Sequence, residues 1–169
     1  SELLVLRLWI ITREKNCNLD AIDKWIRMVA TYRLTGHSPG FFSVYTLPPN
    51  QAVTRERQIL INKKRNQKPE YRNIKALIVK KTKSLIKDLQ PTDIKQVHAA
   101  AKKALFIQGD AANTTSIKSK SVQLTVTSPP FLDVVQYARD NWMRCWFNGI
   151  EMKSIEKKIT MSKTIDEWN

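Results

Sequence analysis

The chain has 169 residues, room for about one domain with a hydrophobic core. It carries 29 Lys+Arg against 15 Asp+Glu, a net charge of +14. That excess favours a polyanionic partner, because lysine and arginine displace the counterions that phosphates hold.

Two cysteines, Cys17 and Cys145, have no partner at metal or redox spacing, which argues against a zinc site or a disulfide framework and fits a reducing cytoplasm. The longest apolar run, Leu3 to Ile11, is interrupted by Arg7 and falls short of the ~20 residues that span a bilayer. Gly36, Gly40, Gly109 and Gly149 are the only glycines, and none share the spacing of a phosphate-cradling loop.

Taken in chain order, residues 2–13 read as a helix buried on most sides, with Leu3, Leu4, Leu6, Leu8, Trp9 and Ile11 apolar. Asp20 caps a second helix with Ile22, Trp25, Ile26, Val29 and Ala30 on one face, and Gly36 stops it. Residues 36–53 form a loop with a short strand-like piece, Phe42 to Thr46. Aromatics so closely spaced (Phe41, Phe42, Tyr45) point to core anchors before a binding loop. A third helix covers about 53–64, and a basic linker, 63–72, follows. Ile74 to Leu89 is the cleanest amphipathic helix: Ile74, Leu77, Ile78, Leu85 and Leu89 on one stripe, Lys80, Lys83 and Lys87 on the other face. Pro91 closes it, and a further helix runs from Asp93 to about Lys103.

The pattern then changes. "ALFIQGDA" (104–111) reads as a buried strand ending in a Gly109-Asp110 turn, and "VQLTVT" (122–127) as a second, ending on Ser128-Pro129-Pro130-Phe131. Val134, Val135, Ala138, Trp142 and Cys145 then recur at helical spacing. The fold expected is α/β, a partial Rossmann-like sheet of two or more parallel strands beside a large helical N-terminal part. The division is 1–103, mainly helical and suited to DNA binding or target recognition, and 104–169, partly catalytic.

The elbow has its own chemistry. Proline fixes φ and holds the preceding residue extended, so the Ser128 and Pro129 carbonyls become fixed acceptors. With the Ser128 hydroxyl and the flat face of Phe131, they suit an exocyclic amino group on an aromatic base, which must leave a duplex to reach them. A turn that merely contains two prolines, or a proline-rich ligand for a small domain, has the same four letters.

The stretch "GDAANTTSIKSKSVQLTVTSPPF", with "LDVVQYARDNWMRCWF" after it, resembles the catalytic region of the amino-methylating (cytosine N4 or adenine N6) DNA methyltransferases over roughly 104–150. "RMVATYRLTGHSPGFFSVYTLPPNQAV" resembles, more loosely, a segment of site-specific methylases. The resemblance implies an S-adenosyl-L-methionine-dependent enzyme in which Ser128, Pro129, Pro130 and Phe131 form the catalytic base-binding motif. Gly109 and Asp110 would then lie at the cofactor, and cytosine is the more typical target of the Ser form. The family's glycine-rich cofactor loop is missing here, and Gln123 stands where many relatives have Asp. The loop is then expected from the remainder of a longer methyltransferase or from a second polypeptide, unless the chain is a remnant of a restriction-modification system.

Lys63, Lys64, Arg65, Lys80, Lys83 and Lys87 are the candidate phosphate contacts, against a solvated helix face as the alternative. Asp133 is the candidate cap of the helix after the elbow, and Arg139 in that helix a possible phosphate contact. Cys17, Cys145, His37 and His98 read as structural or surface residues, so no metal is expected. The competing readings are a non-catalytic basic nucleic-acid-binding module and an RNA base methyltransferase.

Overall fold

The computed structural model describes residues 1–43, 53–68, 70–109, 113–127, 137–157, 164 and 166, with the side chains of Tyr137 and Arg139 excepted. Eight helices lie among them: α1 (Glu2–Lys15), α2 (Ala21–Thr31), α3 (Arg55–Lys64), α4 (Ile74–Ile86), α5 (Pro91–Ala101), α6 (Tyr137–Asp140), α7 (Trp142–Phe147) and α8 (Met152–Glu156). The chain divides into two units, one of residues 1–85 and 131–169, the other of residues 86–130.

The first unit holds the core. Ile10 of α1, Val29 and Ala30 of α2, Ile74 and Ile78 of α4 and Phe147 of α7 come together there with Leu34 and Phe42. Leu3 and Leu6 pack against this cluster, so α1 buries a single stripe, Leu3, Leu6 and Ile10. Leu4, Val5, Leu8 and Trp9 stand exposed, and the helix expected to be buried on most sides is covered on one. Ile22, expected on the inner face of α2, is 69% exposed. It lies in the first turn, ahead of the stretch where Trp25, Ile26, Val29 and Ala30 meet the core. The α4 stripe is buried at Ile74 and Ile78 but open at Leu85, and Leu89, expected on it, lies beyond the helix end at Ile86 and is exposed.

Local chemistry sets the helix starts. Asp20 accepts from the Asp23 backbone N–H at 2.8 Å, and the Asp23 carboxylate accepts from the Asp20 N–H at 3.1 Å, a reciprocal capping box. The same Asp23 oxygen takes the Arg13 Nε–H at 2.7 Å, joining α1 to α2. At α4 the Asn73 side chain accepts from the Ala76 N–H, and Glu2 reaches over from α1 to accept from the Ile74 N–H at 2.8 Å. Two orphan donors of that helix are thereby satisfied. Trp25 Nε1 donates to the Thr82 hydroxyl at 3.0 Å, tying α2 to α4.

The described part of the aromatic loop ends at Ser43. Phe42 is buried in the core, and its neighbour Ser43 forms an isolated parallel bridge with Thr35. Gly36 does not stop α2, which ends at Thr31, and a Cβ on it would sit 2.6 Å from the Phe41 ring, so a larger residue would have to displace that ring. Val44 and Tyr45 lie outside the described residues. Helix α7 ends at Gly149 in the left-handed region (φ 69°), with the Ile150 N–H returning to the Cys145 carbonyl at 2.9 Å.

The second unit corrects the expected fold class. Among the described residues there is no strand in a sheet, so the Rossmann-like parallel sheet is not seen. Residues 104–109 and 122–127, read as buried strands, are irregular in structure and open to solvent. Leu105 is 80% exposed, Phe106 96%, Leu124 78% and Val126 86%. A buried parallel strand needs ladder partners on its edges and covered faces. Among its described residues α5 is the one whole helix, and its own apolar residues Ile94 and Val97 are exposed, so they offer no layer to cover a sheet. Apolar composition marked these segments for burial, but none of the unit's described residues buries them.

Replacing Phe147 or Ile10 by Ala should destabilise the chain by about 3–5 and 2–5 kcal/mol respectively. Phe106→Ala should change stability by less than about 0.5 kcal/mol. Urea unfolding followed by tryptophan fluorescence distinguishes the two classes. The pH dependence has a definite sign. Hydrogen bonds from the Tyr71 hydroxyl and the Ile74 N–H hold the Glu2 carboxyl below its usual value. Burial pushes Asp23 upward, but the Asp20 N–H and the Arg13 guanidinium together outweigh it and leave the carboxyl depressed. Both groups bind protons less readily folded than unfolded. Their contribution is complete above the unfolded values near pH ~4 and is lost as pH falls through the lower folded ones. Stability measured against pH should therefore decline below about pH 4, and Glu2→Gln or Asp23→Asn should flatten that limb.

Candidate nucleic-acid interface

The six cationic residues marked by the sequence fall in two groups. Lys63 and Lys64 form the last turn of α3, with Arg65 as its C-cap, and all three are exposed. Cations in a last turn also complement the negative end of a helix dipole, so their position has a structural reason beside any functional one. Lys80 and Lys83 stand exposed on α4, on the side away from Ile74 and Ile78. Lys87 follows the helix, and its ammonium lies 3.6 Å from the Asp88 carboxylate. Lys63, Lys64, Lys80 and Lys83 have no ion pair among the described residues.

Gly109 is exposed, and nothing lies within 4 Å of where its Cβ would stand. Asp110, Ser128, Pro129, Pro130, Phe131 and the candidate cap Asp133 lie outside the described residues. On the far side of the motif, α6 and α7 send Ala138, Cys145 and Phe147 inward. Trp142 donates its indole N–H to the Val53 carbonyl at 3.2 Å.

Cys145 is buried and Cys17 exposed. Among the described residues no group of His, Cys, Asp and Glu is arranged to hold a metal, and no helix is long and apolar enough to cross a membrane.

A third cationic group escaped the sequence reading. Lys24, Arg27, Tyr32, Arg144 and Asn148 line a cleft of about 360 Å³ where α2 meets α7. Its frame is Arg27. Nε donates to the Asn148 side chain at 2.7 Å, Nη2 to the Asn148 carbonyl at 3.3 Å and Nη1 to Glu14 at 2.5 Å. The Asn148 amide in turn donates to Thr31 Oγ1 and to the Arg144 carbonyl. Arg144 is held differently. Nη1 donates to the Asn141 side chain at 2.7 Å, and the guanidinium lies 5.8 Å from the centre of the Tyr32 ring. Its Nε is buried without an acceptor. Lys24, Arg27, Thr31 and Tyr32 fall at helical spacing on α2, which a search for cationic stripes would find. Arg144 joins them only through the packing of α7.

A different concavity, of about 650 Å³, lies among α1, α2 and α4 and is lined by Val5, Leu6, Trp9, Ile26, Ile78 and Val79 with Glu2 and Lys75 at its edge. Its apolar walls offer nothing to a phosphate.

If the exposed cations of α3 and α4 contact phosphates, neutralising them should lower the salt sensitivity of DNA binding. The triple change Lys63→Gln, Lys64→Gln, Arg65→Gln should reduce the slope of log K against log salt by up to about 3, and Lys80→Gln with Lys83→Gln by up to about 2. Fluorescence anisotropy over a salt series measures both. No protein-family model matches this sequence, and no match to it was found among curated proteins or solved structures.

Proposed function

We propose that this chain acts on DNA, and that its task there is methylation of an exocyclic base amino group, cytosine before adenine, with S-adenosyl-L-methionine as methyl donor. The observation that carries the reading is the residue order Thr127-Ser128-Pro129-Pro130-Phe131, set between the irregular residues 122–127 and the helical residues of α6 and α7. Ser128 and Pro129 supply acceptors for the two amine hydrogens, and Phe131 a face for the base. The net charge of +14 and the exposed cations on α3 and α4 support a DNA partner. No chemical step is assigned through the cofactor, since Asp110 and the elbow residues lie outside the described residues. The segment with the glycine-rich loop, a partner chain or the rest of a longer enzyme, would complete that site. Free thiols at Cys17 and Cys145 fit a cytoplasmic setting.

The second reading is a basic nucleic-acid-binding module without catalysis. It is favoured by the missing sheet among the described residues, since that leaves no scaffold for a cofactor.

Incubation with methyl-labelled S-adenosylmethionine and either duplex DNA or RNA, with nucleoside analysis of the product, separates the readings. Label in N4-methylcytosine or N6-methyladenine of DNA, lost at least about 100-fold in Ser128→Ala and Phe131→Ala, supports methylation through the base-binding elbow. Label in RNA instead moves the substrate class. DNA binding with no transfer, even with a complementing segment that carries the glycine loop, leaves the second reading.

A further inference from the structure

The cleft between α2 and α7 is the most specifically built cationic site among the described residues, and none of the sequence motifs points to it. Three of its lining residues are cations, and none is a carboxylate. Arg27 is spoken for: all three of its nitrogens have acceptors, and Glu14 balances its charge. Arg27 thus positions the wall through Asn148. Lys24 and Arg144 remain. Neither has an ion pair among the described residues. Arg144 rests on the neutral Asn141 amide and on an aromatic ring, and one of its nitrogens is buried with no acceptor. A guanidinium that is part-buried and uncompensated is costly, and an anion relieves that cost. Beside it Tyr32 is 66% exposed, an aromatic face open to solvent.

Two uncompensated cations beside an exposed ring match the chemistry of one nucleotide in a strand: a phosphodiester on the cations, a base on the ring. The volume, about 360 Å³, lies at the small end of ligand pockets, which suits one nucleotide rather than an extended ligand. We infer that the cleft binds a nucleotide of single-stranded nucleic acid, with the phosphate between Lys24 and Arg144 and the base stacked on Tyr32. The inference rests on the nucleic-acid reading above and deepens it.

The test uses the full chain and a fluorescein-labelled single-stranded oligothymidylate. Tyr32 and Lys24 are exposed, so Tyr32→Leu and Lys24→Ala should fold as the wild type does, with circular dichroism as the check. Tyr32→Leu should weaken binding about ten-fold, the scale of losing one stacked base. Lys24→Ala should lower the salt slope by about 1, and Arg144→Lys, which keeps the charge, should retain it. Wild-type affinity and slope in both Tyr32→Leu and Lys24→Ala, while the α3 and α4 variants lose binding, overturns this inference and leaves the nucleic-acid reading standing. Failure of the wild-type chain to bind any oligonucleotide at low salt removes both. Thymidine monophosphate that binds alone and loses binding in the two variants, while the oligonucleotide does not, assigns the cleft to a free nucleotide and overturns the strand assignment.

Discussion

Phe147 and Ile10, both wholly buried, set the condition on which the folded body depends. Phe147 ends a helix of only six residues, too short to persist by itself in water. Its place is secured by packing against Ile10 of α1, Val29 and Ala30 of α2 and Ile74 and Ile78 of α4. The contact joins the two ends of the first unit across most of the sequence. Polar clamps repeat that closure. The Arg7 Nε–H donates to the Trp146 carbonyl at 2.7 Å, with its guanidinium 4.8 Å from the Trp146 ring, and Arg27 grips Asn148. Because these clamps are partly buried and geometrically specific, they define which faces of α1, α2 and α7 meet, while the apolar cluster supplies most of the driving force.

Once that closure is made, the distribution of charge follows. The inner faces of α2 and α4 are used by the core, and Lys24, Lys80 and Lys83 stand exposed. Where α7 docks on α2, a second consequence appears. Arg144 is brought over Tyr32 into a cleft that Lys24 also lines, beside the Arg27–Asn148 clamp. The same packing that stabilises the unit thus concentrates positive charge at one place on it. The +14 net charge is consequently not spread evenly in its effect: cations such as Arg13 and Arg27 are tied to carboxylates and serve the fold, while Lys24, Lys80, Lys83 and Arg144 are not.

The unit of residues 86–130 behaves differently. Its apolar segments expose Leu105, Phe106, Leu124 and Val126, and no described residue within it is buried. Marginal stability follows, since without apolar burial there is little to offset the conformational entropy of ordering the chain. The organised core and the cationic cleft belong to the first unit.

Much of the helical architecture was legible in the residues themselves. Asp20 announces a helix start, and the periodicity of Ile74, Leu77 and Ile78 gives α4 its inner face, whereas Pro91, read as the stop of the preceding helix, stands at the first position of α5. These are local signals, decided by backbone geometry and by neighbours three or four residues apart. The cations of α3 and α4 were legible too, since exposure of lysine follows from its hydration. What periodicity could not decide was whether an apolar segment finds a cover. "ALFIQ" and "VQLTV" have the composition of buried strands and lie open, Ile22 has the spacing of a core residue and is exposed, and α1 buries one stripe of several available. Nor could sequence place Arg144 on Tyr32, more than a hundred positions away. Burial and convergence depend on partners distant in the chain, and only the tertiary packing of α1, α2, α4 and α7 supplied them.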